Sequence, residues 1–179
     1  MAILKTEFPK KSILNYNIKK YHYVDSFQGT LTDKEDRFNW IDIGKAFFLS
    51  GSKWVGALFA LRNKIVFIFG LKTPGSKWEI QSQRDNFRFE QGQRIGLFKV
   101  LERTENEVIF GEDDKHLNFR ISLLVEQQKN SSQLKNLTFS SLVEYNNWFG
   151  RLYFLIVKPF HKLIVVEILT GVIKELEKK

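Results

Sequence analysis

The densest cluster of polar side chains in this sequence is the run GEDDKHLNFRIS, from Gly111 to Ser122. On an extended strand, alternate side chains point to opposite faces. A strand that begins near Lys115 would therefore place Leu117, Phe119, Ile121 and Leu123 on one face. The polar residues of the opposite face are His116, Asn118, Arg120 and Ser122. Either this polar row is the solvated face of a half-buried sheet, or it lines a cavity in which Arg120 and His116 bind the polar group of a ligand.

The same run contains residue types that can move protons. Asp113 and Asp114 lie at the bend just before the strand, close in sequence to His116. A histidine near carboxylates can work as a general acid or base. His116 and Asp114 are therefore candidate catalytic residues, with Asp113 as an alternative partner. The spacing of these three residues matches no strong metal-ligand pattern, so no metal site is predicted.

A second polar cluster follows at the start of the last long apolar segment. Arg151 could form a structural ion pair with the acidic bend at 112–114, or it could bind a ligand. His161 is a further candidate base, although a histidine in an apolar helix is more often a core residue with a hydrogen-bond partner. The sequence contains no Ser–His–Asp spacing, phosphate-binding glycine loop or dinucleotide fingerprint, and no cofactor is predicted.

The segment that positions this second cluster is predicted to be one long helix, from about Trp148 to Leu176. Its apolar residues recur at spacings of three and four. Charged residues interrupt its middle at Lys158, Lys162 and Glu167, so stable insertion into a membrane is not expected. The segment is predicted to be the core helix of a soluble domain, with an interfacial helix on a membrane surface as the alternative.

The remaining elements predict an α+β domain. Residues 1–19 read as an irregular N-terminal arm and 21–31 as a strand, and two helices follow at 39–50 and 52–70. Residues 76–92 read as a loop or lid with a short strand at Phe87–Phe89. Strands at 93–103, 107–111, 115–126 and 134–146 have short connections, which predict an antiparallel meander. The expected architecture is a curved antiparallel sheet with the long C-terminal helix laid across its apolar face.

Composition narrows the class of protein. The 179 residues are expected to form one domain, and the 17 phenylalanines indicate either a large aromatic core or an apolar cavity. The net charge of +8 comes without a basic run or an aromatic RNA-binding motif. A solvated basic face is therefore expected, and no nucleic acid partner is predicted.

The absence of cysteine excludes disulfides and thiolate catalysis. The N-terminus lacks the apolar core of a signal peptide, which favours a cytoplasmic location. No feature indicates a particular oligomeric state.

Four runs of sequence resemble a bacterial domain-of-unknown-function family of the SRPBCC superfamily, the START-like helix-grip folds. They are YVDSF (Tyr23–Phe27), RIGLFKV (Arg94–Val100), the run at 111–122, and GRLYFLIVKPFHKLIV (Gly150–Val165). The resemblance covers roughly residues 21–169 and implies a helix-grip fold with a deep cavity. Asn146 stands where the family pattern is expected to have a histidine, so a reaction that needed this histidine would not run here.

Together these features predict a non-enzymatic carrier or sensor of a small apolar or amphipathic ligand, bound between sheet and long helix. The predicted ligand-binding residues are Phe98, Phe110, His116, Phe119, Arg120, Arg151, Tyr153, Phe160 and His161. Since Phe119 and Arg120 lie on opposite faces of one strand, they cannot both point into one cavity. One alternative is an enzyme of the cyclase or hydrolase kind that uses His116 or His161 with Asp113 or Asp114. Another is a purely structural or protein-interaction domain.

Overall fold

The computed structural model of this chain describes residues 2–33, 38, 40–49, 87–128 and 130–178. The predicted helix at 52–70 and the predicted loop at 76–86 lie outside these residues. In chain order the described elements are β1 (Leu4–Thr6), a 3₁₀ helix (Ile13–Lys20), β2 (Tyr23–Thr32), α1 (Trp40–Leu49), β3 (Arg94–Ile95), β4 (Phe98–Arg103), β5 (Glu107–Asp113), β6 (Leu117–Gln128), β7 (Ser131–Tyr145) and α2 (Trp148–Glu177).

The strands form one antiparallel sheet in the order β1–β2–β7–β6–β5–β4–β3. β3 to β7 are a meander, as their short connections predict. β2 joins the other side of this meander by pairing with β7, so Asp25 lies opposite Ser141 and Phe27 opposite Phe139. The predicted α+β class and the long helix across the sheet are both confirmed.

One face of the sheet forms the main core with α1 and α2. Phe27, Leu31, Phe110, Leu123 and Phe139 project from this face and are buried. The second half of α2 packs on them through side chains at spacings of three and four, namely Val165, Ile168, Leu169, Val172, Ile173 and Leu176. Complete burial of each large aliphatic or aromatic side chain contributes about 1.5–3 kcal/mol. The second half of α2 is therefore held on the sheet by these regularly spaced apolar side chains.

Several phenylalanines form an aromatic cluster under α1. The ring of Phe47 lies 5.8 Å from that of Phe98, 5.9 Å from that of Phe110 and 5.9 Å from that of Phe139. Phe89 also contacts this cluster, at 6.2 Å from Phe110. Of the two explanations for the abundance of phenylalanine, a large aromatic core accounts for these residues.

The N-terminal arm covers the opposite face of the sheet. It was predicted to be irregular, but it contains β1 and the 3₁₀ helix. β1 pairs with β2, and the 3₁₀ helix packs Leu14 against Ile109 of β5 and Leu142 of β7. Ser12 caps this helix by accepting a hydrogen bond from the backbone N–H of Leu14, at 3.2 Å. This arm therefore gives the sheet a second, smaller core.

Two strand predictions in the 87–103 region are wrong. The predicted strand at 93–103 is a hairpin, because Gly96 adopts a positive φ of 56° and turns the chain between β3 and β4. The predicted short strand at Phe87–Phe89 is absent from this described stretch. Phe89 has a φ of 58° there, which is incompatible with a strand, and its side chain is buried in the aromatic cluster.

The long helix α2 begins immediately after β7 and crosses the start of β6. Asn147 caps it by accepting a hydrogen bond from Gly150 N, at 3.1 Å. A Cβ atom on Gly150 would lie 1.9 Å from the carbonyl oxygen of His116, so only glycine permits this close crossing. Among the described residues, no helix combines the length and apolar character needed to span a bilayer.

Candidate functional site

A pocket of about 160 Å³ lies between the sheet and the first half of α2. β6 and β7 form its floor, the β3–β4 hairpin one wall, and α2 its roof. The lining is mostly apolar and comprises Leu97, Phe98, Leu117, Phe119, Arg120, Ile121, Ser141, Leu142, Val143, Tyr153, Phe154, Val157 and His161.

Two residues that line this pocket, Ser141 and His161, lie beside the polar side chains of Asp25 and Tyr23. Tyr23 and Asp25 share the inner face of β2, and the register places Asp25 beside Ser141 of β7. The side chain of His161, on α2, points toward Asp25. Its Nε2 lies 3.5 Å from Asp25 Oδ1, and the hydroxyl of Tyr23 donates a hydrogen bond to Asp25 Oδ2. The sheet and the helix thus bring together a carboxyl group, an imidazole, a phenol and an alcohol.

Three atoms of this polar group have unused hydrogen-bonding capacity. Asp25 is only 4% exposed, yet Asp25 Oδ1, Ser141 Oγ and His161 Nε2 are buried and make no hydrogen bond with any part of the chain that the structure describes. Leaving a buried polar atom without a partner costs about 1–3 kcal/mol. A cluster of three such atoms beside an apolar pocket is the arrangement expected of a ligand-binding site.

Tyr23 is held in its protonated, hydrogen-bond-donating form. Burial raises the pKa of its phenol well above the ordinary value of 10.0, and the hydrogen bond to Asp25 raises it further. The Nζ of Lys158 lies 5.1 Å from the centre of the Tyr23 ring, a cation–π contact that ties α2 to β2. Tyr23 therefore orients Asp25 and leaves Oδ1 directed toward His161.

The raised pKa of Tyr23 predicts an alkaline stability difference between the protein and Tyr23→Phe. Because the folded-state pKa lies above the unfolded value of about 10, the contribution of the phenol is complete below pH 10 and lost as the pH rises. Above pH 10, the free energy of unfolding should fall more steeply for the wild type than for Tyr23→Phe. The difference in slope is at most about 1.4 kcal/mol per pH unit, and it is smaller where water screens the half-buried ring. Urea unfolding from about pH 8 to about pH 11.5 measures this difference in stability. Tyr16→Phe, at an exposed tyrosine, is the control, and parallel curves for wild type and Tyr23→Phe would contradict the prediction.

Of the predicted ligand-binding residues, Phe98, Phe119, Arg120, Tyr153 and His161 line the pocket. Phe110 lies instead in the aromatic cluster and is fully buried. Phe160 is exposed on the far side of α2, and Arg151 is exposed near Tyr145. Burial raises the pKa of the Tyr145 phenol, and the charge of Arg151 partly opposes this effect. The ion pairs at the acidic bend include Arg94–Glu112 and Arg120–Asp113, and among the described residues none joins the bend to Arg151.

The junction of the acidic bend and α2 is a network of structural hydrogen bonds. The ring Nδ1 of His116 lies 2.9 Å from Asn147 Nδ2, and the ring packs against Phe149. Asn146 Nδ2 donates to Asp114 O at 2.6 Å and to Asn118 Oδ1 at 2.9 Å. His116 is thus paired with the helix cap rather than with Asp113 or Asp114.

Arg120 borders the pocket, but its guanidinium group makes its contacts on the other side of the sheet. It pairs with Asp113 at 2.7 Å and donates to the carbonyl of Phe119 at 2.8 Å. The face of β6 that meets α2 is the apolar one, which carries Phe119 and Ile121. Of the polar row of β6, Arg120 borders the pocket, and the N-terminal arm covers part of the face on which the row lies.

The sequence reasoning missed Tyr23, Asp25 and Ser141 as site residues. A signal was present in β2, where Asp25 interrupts a face that otherwise carries Tyr23, Phe27 and Leu31. A carboxyl group within such a face has to be paired or functional when it is buried. Ser141 offers a similar but weaker signal between Phe139 and Val143.

Residues 17–168 match the profile of a family described as "Protein of unknown function (DUF2867)". The chain belongs to this family. A crystal structure of a conserved protein from Geobacillus kaustophilus is similar, with 10% sequence identity and a TM-score of 0.40, over 87% of this chain and 96% of that one. No curated protein matches the sequence.

The family match covers β2, the β3–β7 meander and the first two thirds of α2, so it includes Tyr23, Asp25, Ser141 and His161. Within the described residues, no group of three or more His, Asp or Glu side chains is arranged to hold a metal ion. The side chains of Asp25, His161, Ser141 and Tyr23 can form hydrogen bonds, and the histidine and carboxyl groups can transfer protons.

Proposed function

We propose that this DUF2867 protein binds a small amphipathic molecule in the pocket between sheet and α2. The observation that carries the proposal is a group of buried polar atoms on Asp25, Ser141 and His161 that make no hydrogen bond within the described residues and lie beside an apolar cavity. Phe98, Phe119 and Val157 would contact the body of the ligand. The apolar walls supply affinity, and the polar end fixes orientation.

The size of the pocket limits the buried part of the ligand. Drug-sized ligands occupy pockets of roughly 300–1,000 Å³, whereas a dry cavity of roughly 150 Å³ accommodates benzene. A pocket of about 160 Å³ suits a single ring or a short alkyl group. The ligand is therefore a small molecule, or a larger one that inserts only such an end.

The polar end favours a ligand group that donates a hydrogen bond. An ionised Asp25 carboxylate accepts hydrogen bonds and donates none, whereas Ser141 Oγ can both accept and donate. A hydroxyl or an amide satisfies both atoms, whereas an ester or ether would leave Asp25 without a donor. Small phenols, alcohols and primary amides are the classes to test first.

The proposal is tested by titrating such compounds into the wild type and two matched variants. Val157→Trp places a large ring into the pocket, while Leu155→Trp places the same ring on the exposed face of the same helix. Calorimetry should show binding to the wild type and to Leu155→Trp, and at least about tenfold weaker binding to Val157→Trp. The proposal fails if no compound of these classes binds, or if Val157→Trp binds them as well as the wild type.

The pairing of His161 with Asp25 favours one second candidate, an enzyme that moves a proton in the same pocket. The predicted pairing with Asp113 or Asp114 is replaced here by Asp25. Proton NMR of the bound compounds in D₂O separates the two functions: a carrier leaves the ligand C–H signals intact, whereas the enzyme exchanges or converts them. A His161→Gln variant should abolish that exchange while it retains binding.

The proposal includes the finer placement of the family among the SRPBCC, START-like helix-grip folds. The helix-grip-like arrangement of sheet and α2 and the four sequence runs support that placement. A carrier or sensor of this kind is expected in the cytoplasm.

A further inference from the structure

The exposed side of α2 carries six large apolar side chains in one stripe, here called the α2 stripe. They are between 46% and 76% exposed, and they are Trp148, Leu152, Leu155, Ile156, Phe160 and Leu163. Spacings of three and four residues align them along about four helical turns. Exposed apolar patches of several hundred Å² are uncommon on monomeric proteins and mark interaction surfaces.

One edge of the α2 stripe is basic. Arg151, Lys158 and Lys162 fall within about 40° of one another at about 100° per residue. The stretch from Trp148 to Val166 contains no aspartate or glutamate, and the whole chain carries a net charge of +8. An apolar stripe with aromatic residues and a basic edge is typical of helices that lie in a membrane interface.

We infer that the α2 stripe docks this protein on an anionic lipid surface. Leu152, Leu155 and Leu163 would enter the boundary between headgroups and acyl chains, and the basic edge would meet lipid phosphates and carboxylates. Trp148 lies at one end of the stripe and is of a residue type enriched at that depth. The opposite side of α2 is fixed to the sheet through Phe154 and Val165, so the stripe is presented on a rigid element.

Charge argues for a lipid surface over a second copy of the chain. A two-fold dimer through the α2 stripe would place Arg151 and Lys162 of each copy around the interface. Residues 148–166 would supply no carboxylate to pair with them. Repulsion between these cations opposes such a dimer, whereas an anionic membrane attracts them.

Cosedimentation with vesicles tests the inference on the full chain. Vesicles of phosphatidylcholine with about 30 mol% phosphatidylserine should bind the protein, pure phosphatidylcholine much less, and a rise to about 0.5 M salt should weaken binding. Leu155→Ser with Leu163→Ser should reduce partitioning at least about tenfold. Leu4→Ser, at a leucine that is exposed elsewhere, is the apolar control.

The basic edge is tested separately. Arg151→Gln with Lys162→Gln should weaken binding to the anionic vesicles by at least about tenfold, whereas Lys10→Gln with Lys19→Gln, an equal charge change on the exposed N-terminal arm, should have a smaller effect. Absence of binding to anionic vesicles overturns the inference, as does binding that the leucine variants leave unchanged. A concentration-dependent dimer that the leucine variants abolish would assign the α2 stripe to self-association instead.

Discussion

Replacing Lys135 by methionine is expected to lower the free energy of unfolding by about 3–5 kcal/mol, because it removes the buried ammonium group that pairs with the Asp33 carboxylate. Lys135 Nζ lies 2.8 Å from Asp33 Oδ2, and both side chains are almost completely buried. The same ammonium donates to the carbonyl of Phe38 at 3.0 Å, and Asp33 Oδ2 accepts from Phe38 N at 3.0 Å. The pair therefore joins the end of β2, strand β7 and the approach to α1.

A second variant separates the lost charge from the lost side chain. Asp33→Asn combined with Lys135→Met removes both charges and should recover part of the stability that the single variant loses. Lys99→Met, at an exposed position of β4, is the control for replacing a strand lysine. Urea unfolding at neutral pH measures all three variants. A loss below about 1 kcal/mol for Lys135→Met would show that the pair acts like a surface ion pair.

Glu107→Ala is expected to cost about 3 kcal/mol and to release the N-terminal arm from the sheet. Glu107 is 1% exposed, and its carboxyl group accepts hydrogen bonds from Ser12 Oγ at 2.5 Å, from Ile13 N at 2.8 Å and from the hydroxyl of Ser122. Alanine removes three hydrogen bonds and leaves their buried donors without an acceptor. Two of these donors belong to the arm, so the arm should detach before the sheet unfolds.

Limited proteolysis measures that detachment directly. Trypsin can cut the arm at Lys10, Lys11, Lys19 and Lys20, and Glu107→Ala should accelerate this cleavage. Glu107→Gln keeps one acceptor oxygen and should be intermediate. Glu105→Ala, an exposed glutamate two residues away, should match the wild type in both cleavage and urea unfolding. Equal cleavage rates for Glu105→Ala and Glu107→Ala would contradict the anchoring role of Glu107.

The elements that the sequence predicted correctly are those with a strong local period. β6 alternates Leu117, Phe119 and Ile121 with polar residues, and α2 repeats apolar residues at helical spacings, so each pattern can be read within one segment. The hairpin at Gly96 was missed because the alternation of 93–103 continues across the turn. The N-terminal arm was missed as a structural layer because its packing residues, such as Leu14, follow no strand or helix period.

The candidate site was predicted in part, for a similar reason. His161, Phe119 and Tyr153 belong to segments that stood out by themselves. The carboxyl partner of His161 was placed at Asp113 or Asp114 because these residues lie near the other candidate, His116, in sequence. Asp25 becomes the neighbour of His161 only because β2 pairs with β7 and α2 crosses them both.

By itself, the sequence determined the fold class, strands β5 to β7 and the extent of α2, because hydrophobic periodicity is a local property of each segment. It also pointed to a long helix lying against a sheet. Only the tertiary structure decided which face of that sheet meets the helix, and that face is the one with Phe119 rather than Arg120. It also decided that Asp25, Ser141 and His161 meet in one pocket. Such a meeting depends on strand order and helix crossing, which no single segment encodes.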